Sequence, residues 1–330
     1  MIQNKYKLAV IGGDARQLIA AARLTAGGYD VTLYGFGGET AASAPPIVDS
    51  LCCTECNTAM HELLANAADG TVSDCGIVCE TAEEAVRGSL AVILPLPMSG
   101  DNNRISMPLG GSGTLTLTEI VGIMASCGVK LVCGGKISRG FSEMCSARGI
   151  EVFDYYERDE FAIANAIPTA EGAIEIAMRE LPTTLDGSSA LVIGYGRIGK
   201  VLSRLLSRLG VTVTASARKP ADLAWIRADG HSAAHTEKLA SLLDTNRFDM
   251  IFNTVPHTVL GESELAKLSS GTLIVDLASK PGGVDISAAD RLGRNVIWAL
   301  SLPGKVAPVT SGRIIADTIL GCLKKYGGDG

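Results

Sequence analysis

Ala190-Leu191-Val192-Ile193-Gly194-Tyr195-Gly196-Arg197-Ile198-Gly199-Lys200-Val201-Leu202 is the stretch whose reading decides the fold. A short apolar run enters Gly194-x-Gly196-x-x-Gly199. Apolar residues then recur at Ile198, Val201, Leu202, Leu205 and Leu209, the spacing of one helix face. Gly210 suits the position just past a helix end, and residues 211–217 make a second apolar run. Strand, glycine turn, helix and strand within about thirty residues raise a bare glycine pattern to a dinucleotide fingerprint. Gly194 permits the tight turn, Gly196 lets a pyrophosphate approach the backbone, and Gly199 lets helix and strand lie close. Tyr195, Arg197 and Ile198 complete the first helical turn, whose free N–H groups suit a diphosphate.

The end of the second strand selects the cofactor. In NAD sites a carboxylate there accepts from the ribose 2′-hydroxyl. Here Ser216, Ala217, Arg218 and Lys219 precede the first acid, Asp222. Two cations and a hydroxyl suit a 2′-phosphate, so NADP is expected rather than NAD.

Working outward, 330 residues imply two domains, and a 47% hydrophobic fraction with 38 glycines suits buried strands joined by tight turns. Every apolar run is cut short of a membrane span, and the N-terminus lacks a signal core, so a cytoplasmic protein is expected. A net charge of −6 with scattered basic residues offers no nucleic-acid patch. Among nine cysteines, Cys52, Cys53, Cys56, Cys75 and Cys79 crowd together, with spacings close to those of a zinc ribbon. Neither pair has a Gly-rich knuckle, and Cys127, Cys133, Cys145 and Cys322 show that the chain uses cysteine as a small apolar residue. No metal site is expected.

The N-terminal half starts a second strand–turn–helix at residues 7–11, Gly12, Gly13 and Asp14. It lacks the third glycine, and Asp14 puts a negative charge where a pyrophosphate would sit. A small polar ligand on the helix N-terminal amides, with Arg16 and Gln17 at hand, competes with a simple N-cap role for Asp14. A helix is expected at 59–67, a strand at 90–96 ending in a polar loop, a helix at 114–127 and a strand at 130–133. Gly134-Gly135-Lys136 then forms an anion-suited turn, followed by Arg139 in a helix over 138–147 and a strand at 151–155. Two helical pieces broken at Pro168 carry the chain onward. After the fingerprint come a helix at 220–228, a strand near Ala233 and strands at 250–255, 273–278 and 296–300. Loops at 279–283 and 301–310 leave strand C-termini. Asn253, Thr254, Val255, Pro256, Ala278, Ser279 and Pro303 thus join the cofactor rim, while the neighbouring His257 has nothing close in sequence to orient it.

The fold class expected is α/β, with two doubly wound parallel-sheet domains, the second a Rossmann domain. The divisions are 1–156, a flavodoxin-like substrate domain; 157–182, crossover helices; 183–311, the NADP domain; and 312–330, a helix returning to the first domain.

Four motifs in order resemble the dipicolinate synthase A-subunit family. They are Val10-Ile11-Gly12-Gly13-Asp14-Ala15-Arg16-Gln17, residues 157–172, Asp276-Leu277-Ala278-Ser279-Lys280-Pro281-Gly282-Gly283 and Leu302-Pro303-Gly304-Lys305-Val306-Ala307-Pro308. The likeness spans both domains and departs between Gly38 and Glu80. It implies the last step to pyridine-2,6-dicarboxylate in spore-forming bacteria, in the mother-cell cytosol, with an NADP-type cofactor and a second, flavoprotein-like B subunit. The implied substrate, a dihydro- or hydroxytetrahydro-dipicolinate, carries two carboxylates. Gly13, Arg16, Gln17, Lys136, Arg139, Arg158, Asn165 and Thr169 are therefore candidate substrate ligands. Asp14, Asp159, Glu160 and Glu171 are candidate proton acceptors, and Lys280 or Lys305 candidate donors. The substrate is expected between the Asp14–Arg16 turn and the 158–171 crossover, facing the nicotinamide. A homo-oligomer is compatible with all of this. Two other readings stay open: a shikimate- or amino-acid-dehydrogenase relative, and a non-catalytic NADP-binding partner of the B subunit.

Overall fold

The computed structural model describes residues 6–36, 76–110 and 113–326. The helix expected at 59–67 and Cys52, Cys53, Cys56 and Cys75 lie outside them. The chain forms two units, Met1–Ala164 with Gly304–Gly330, and Asn165–Pro303.

Unit 1 runs β1 (Lys7–Ile11), α1 (Ala15–Ala26), β2 (Asp30–Tyr34), β3 (Ile77–Val78), α2 (Ala82–Val86), β4 (Ala91–Ile93), α3 (Leu117–Ser126), β5 (Leu131–Gly134), α4 (Arg139–Ser146) and β6 (Glu151–Asp154). Its strands pair in parallel in the order β3-β2-β1-β4-β5-β6. Alternate residues of β1 bury on opposite faces: Leu8 and Val10 among Leu18, Ile19 and Leu24 of α1, Ala9 and Ile11 among Ile120, Val121 and Met124 of α3. Both faces are covered, so the strand reads as a continuous apolar run.

Unit 2 takes in most of α5 (Asp159–Glu180), then β7 (Ser189–Ile193), α6 (Arg197–Arg208), β8 (Thr212–Ala217), α7 (Pro220–Ala228), β9 (Ser232–His235), α8 (Leu239–Thr245), β10 (Met250–Asn253), α9 (Glu262–Leu265), β11 (Leu273–Asp276), α10 (Ile286–Arg291) and β12 (Asn295–Trp298). The sheet order is β12-β11-β10-β7-β8-β9, again all parallel. The chain ends in α11 (Leu302–Val306) and α12 (Pro308–Tyr326), the latter buried against α1 through Ile315, Ala316 and Ile319.

Three expectations are corrected. Unit 1 is not flavodoxin-like: β3 pairs outside β2, with Thr32 opposite Ile77, so β1 meets β4, as in dinucleotide-binding sheets. Pro168 does not break α5, which is continuous. The buried proline removes only the bond to the carbonyl of part-exposed Ala164, while the Thr169 hydroxyl donates to the Asn165 carbonyl (2.7 Å). Residues 301–310 are helical over most of their length rather than a loop, because Pro303 and Pro308 sit in first helical turns, where a missing N–H costs nothing. Among the described residues no helix is long and apolar enough to cross a membrane.

Candidate functional site

The two sheets place two glycine turns at equivalent points, where β1 and β7 each adjoin the strand that reverses the order. Their surroundings differ. In unit 2, Gly194 (φ 96°) has no room for a side chain, since a Cβ would stand 2.3 Å from the Thr254 hydroxyl. A Cβ on Gly199 would stand 2.0 Å from the Gly194 carbonyl oxygen, so the helix lies against the turn. A Cβ on Gly196 would meet nothing within 4 Å. The helix N-terminus there carries no side-chain cap. An open backbone position beside an uncapped helix start is a cradle for a diphosphate, so the residues present fit a dinucleotide. Arg197 and Ile198 form the first turn of α6, as expected.

In unit 1 the corresponding turn is already filled. The Gly12 N–H donates to the Tyr34 carbonyl (2.7 Å) and the Gly13 N–H to the Ser106 carbonyl (2.8 Å). The Asp14 N–H donates to Gln17 Oε1 (3.2 Å), and the Asp14 carboxylate caps the Arg16 N–H (3.0 Å). A Cβ on Gly12 would stand 2.6 Å from Met107. Residues 105–107 therefore lie where a dinucleotide would rest. The small-ligand reading is corrected for Gly13 and Arg16, whose donors are bonded within the fold, whereas Gln17 uses Oε1 as an acceptor and its buried Nε2 has no partner among the described residues. Arg16 is buried, bonded to Asp14 through Nε (2.9 Å) and Nη2 (2.7 Å) and to the Leu96 carbonyl. Asp14 is thus an N-cap and a counter-ion rather than a free base.

Several other expected substrate ligands are paired within the fold. The anion at the Gly134-Gly135-Lys136 turn is Asp154, which accepts from the Lys136 N–H (3.1 Å) and the Ile137 N–H (2.7 Å). The Lys136 side chain stays exposed at the C-terminal end of β5, its Nζ 5.7 Å from the Tyr156 ring centroid. Arg139 is solvated and bonded to Glu143 (2.8 Å). Arg158 bonds Glu160 (3.0 Å) and lies over Phe153. The Thr169 hydroxyl serves its own helix, donating to the Asn165 backbone carbonyl, while the Asn165 side chain stays part-exposed. Asp159 opens α5, adding negative charge to its first turn. Glu171 lines an exposed groove with Leu205 of α6 and Leu209, the residue that caps that helix. Leu205 lies eight positions beyond Arg197, about 12 Å along the helix from the glycine turn, so this groove stands apart from the diphosphate cradle.

Around the cradle the cofactor expectations divide. Arg218 and Lys219 are exposed at the end of β8, and no carboxylate pairs with either among the described residues. Beside them His235 ends β9, its Nε2 3.1 Å from the Arg218 carbonyl oxygen and its Nδ1 3.4 Å from the Glu237 N–H. A carbonyl only accepts, so Nε2 carries the proton and His235 clamps the Arg218 backbone. Ser216 is buried, its hydroxyl taken by Thr236 (3.3 Å) rather than open to a phosphate. Tyr195 turns inward: its hydroxyl donates to Asp229 (2.6 Å), and burial together with that carboxylate raises the phenol pKa.

At the ends of β10 and β11 a buried pair organises the rim. Asp276 accepts from Asn253 Nδ2 (2.8 Å), the Ala278 N–H (3.0 Å) and the Gly283 N–H (2.7 Å). Asn253 also receives the Val255 N–H (3.1 Å) and donates to the Val255 carbonyl (3.0 Å). Asn253 therefore holds the rim instead of touching a ribose. Thr254, Val255 and Ser279 remain part-exposed, with Pro256 and Lys280 exposed, whereas Ala278 and Pro303 are buried. Asp276, His235 and Met107 were missed. An acid closing an apolar strand six and seven residues before a glycine pair was the available signal for Asp276. Nothing in the sequence points to Met107.

The comparisons agree with this geometry. Residues 162–281 match the D-isomer specific 2-hydroxyacid dehydrogenase NAD binding domain. The chain resembles a solved dipicolinate synthase A chain from Bacillus subtilis (28% identity, TM-score 0.80, 99% and 98% of the two chains). It likewise resembles the A subunit of that enzyme from Bacillus halodurans (28%, TM-score 0.79, 96% and 97%). A transhydrogenase from Sinorhizobium meliloti (15%, TM-score 0.64, 97% and 94%) shares the fold alone. The dipicolinate synthase A subunit of Bacillus subtilis strain 168 is 31% identical over 315 residues, 95% of this chain and 94% of that one. With two parallel sheets, a nicotinamide-dinucleotide domain and that match along nearly its whole length, the chain is of an oxidoreductase kind and belongs to the dipicolinate synthase A-subunit family.

Proposed function

We propose that this chain oxidises a dihydro- or hydroxytetrahydro-dipicolinate to dipicolinate with NADP, as the A subunit of a two-subunit synthase that works beside its B subunit in sporulating cells. The observation that carries the cofactor choice is the acid-free end of β8, where Arg218 and Lys219 are exposed and have no ion pair among the described residues. Their charges suit the 2′-phosphate, and His235 steadies the backbone from which Arg218 projects. The amides at the start of α6 take the diphosphate, and Thr254, Val255 and Ser279 line the nicotinamide side. Bound there, the nicotinamide supplies hydride acceptance, and the aromatic product favours the direction. Of the cations expected to serve a dicarboxylate, Lys136 stays exposed and lacks an ion pair among the described residues, as do the candidate proton donors Lys280 and Lys305. Lys280 is positioned to hold a carboxylate or release a proton, supported by the loop that Asp276 fixes.

Arg218→Ala should weaken NADP binding by about 1.5–3 kcal/mol, the value of a charge-assisted contact, and leave NAD nearly unchanged. Titration calorimetry with both cofactors reads this directly. Equal losses would place the reading of the 2′-phosphate elsewhere. Hydride transfer by the chain with and without the B subunit then tests whether it is itself the catalyst.

A further inference from the structure

On unit 2, α5 and α6 leave between them a groove of about 580 Å³, floored by Ile174 and Leu205. Met178 (55% exposed) and Leu209 (38%) stand at its edges, and Ile167 (48%) continues the same face of α5. Ile167, Glu171, Ile174 and Met178 follow the four–three–four spacing by which a helix presents a seam to another helix. Large apolar side chains left open in a row mark a contact surface.

Charge says what covers it. α5 ends at Glu180, nine residues before β7 begins at Ser189, and α6 ends shortly before β8, whose Thr212 pairs with Ser189. Both helices therefore finish at the same edge of the sheet. Arg179 and Arg208 lie at that edge, while Glu171 and Glu175 lie up to two turns back along α5. The face is negative at one end and positive at the other, with an apolar middle. Arg179 already bonds Glu175 and Glu180, but Glu171 and Arg208 have no side-chain partner among the described residues. A two-fold rotation about the middle of such a face brings each acidic end onto the basic end of its copy.

We propose that this groove is the contact between two copies of this chain, with Met178 of each seated in the groove of the other and Glu171 facing Arg208 across the axis. The proposal is independent of substrate and cofactor. Sedimentation velocity on the full chain should show a concentration-dependent dimer, and Met178→Lys should shift it to monomer with unchanged circular dichroism. Glu171→Arg and Arg208→Glu should each weaken self-association by about tenfold or more, because like charges then face each other. In an equimolar mixture those two variants should form a heterodimer, since both junctions become opposite in sign; neither associates well alone. A wild-type chain that stays monomeric, a dimer indifferent to Met178→Lys, or single variants that fail to recombine would each overturn the proposal, the first leaving the groove to a different partner.

Discussion

Asp276 is 1% exposed and accepts three hydrogen bonds, with no cation bonded to it among the described residues. Its charge is stabilised by N–H dipoles alone, two from the loop that follows it and one from Asn253. A Cβ on Gly283 would stand 2.2 Å from Asn253 Nδ2, so the glycine is what lets the loop close on this pair. Asp276→Asn removes the charge and turns an amide toward groups that can only donate. It should cost about 1.5–3 kcal/mol of stability in urea unfolding and loosen NADP binding as the rim residues 278–283 lose their anchor. Unaltered stability and affinity would show the loop to be held by packing alone. At this scale the glycines of the fingerprint were legible, because each meets a steric demand of the backbone. The N-cap role of Asp14 was legible too, but Arg16 was not: its type suited a ligand, and only the fold brought the Leu96 carbonyl within reach of the guanidinium.

Helix α12 owes its place to the surface that α1 presents. Ala20 and Ala21 of α1 are fully buried, and Gly312 of α12 comes so close that a Cβ would stand 2.6 Å from the Arg16 carbonyl oxygen and 2.7 Å from Ile19 Cβ. Small residues on both helices permit that approach, and Ile315, Ile319 and Leu323 complete the core beside Leu8 and Leu33. Gly312→Val would drive the helices apart and should destabilise the chain by about 1–3 kcal/mol, the cost of overpacking a closed interface. Thermal unfolding checks this, and an unshifted midpoint would mean that α12 can slide without loss. Elements were the most legible level. Periodicity located most of the helices and strands that line the two sheets, since burial imposes 3.6- and 2-residue patterns directly. Pro168 was misread because a missing N–H reads as a break, whereas twenty-two residues of helix absorb one lost bond.

Taken as a whole, the molecule carries one strand order twice and uses the equivalent glycine turn in opposite ways. The turn after β7 is open at Gly196 and uncapped. The turn after β1 is closed by Asp14, Gln17, Ser106 and Met107, so its amides are spent before any ligand arrives. Sequence could show that the first turn lacks a third glycine. It could not show that residues some ninety positions later fold onto it, because nothing local in residues 105–107 encodes that contact. The contrast gives a measurement within a single chain. Added NADP should slow amide hydrogen exchange across residues 194–200, where N–H groups gain acceptors, and leave residues 12–14, 16 and 17 unchanged, where they already have them. At a hundredfold excess over its Kd the ligand adds about 2.7 kcal/mol to the stability of whatever it binds. Globally exchanging amides of β7 and β8 should slow accordingly. Equal protection of both turns would mean that the 105–107 segment yields to a second dinucleotide. Protection of residues 12–17 alone would place the cofactor in unit 1 and overturn the assignment of the cradle.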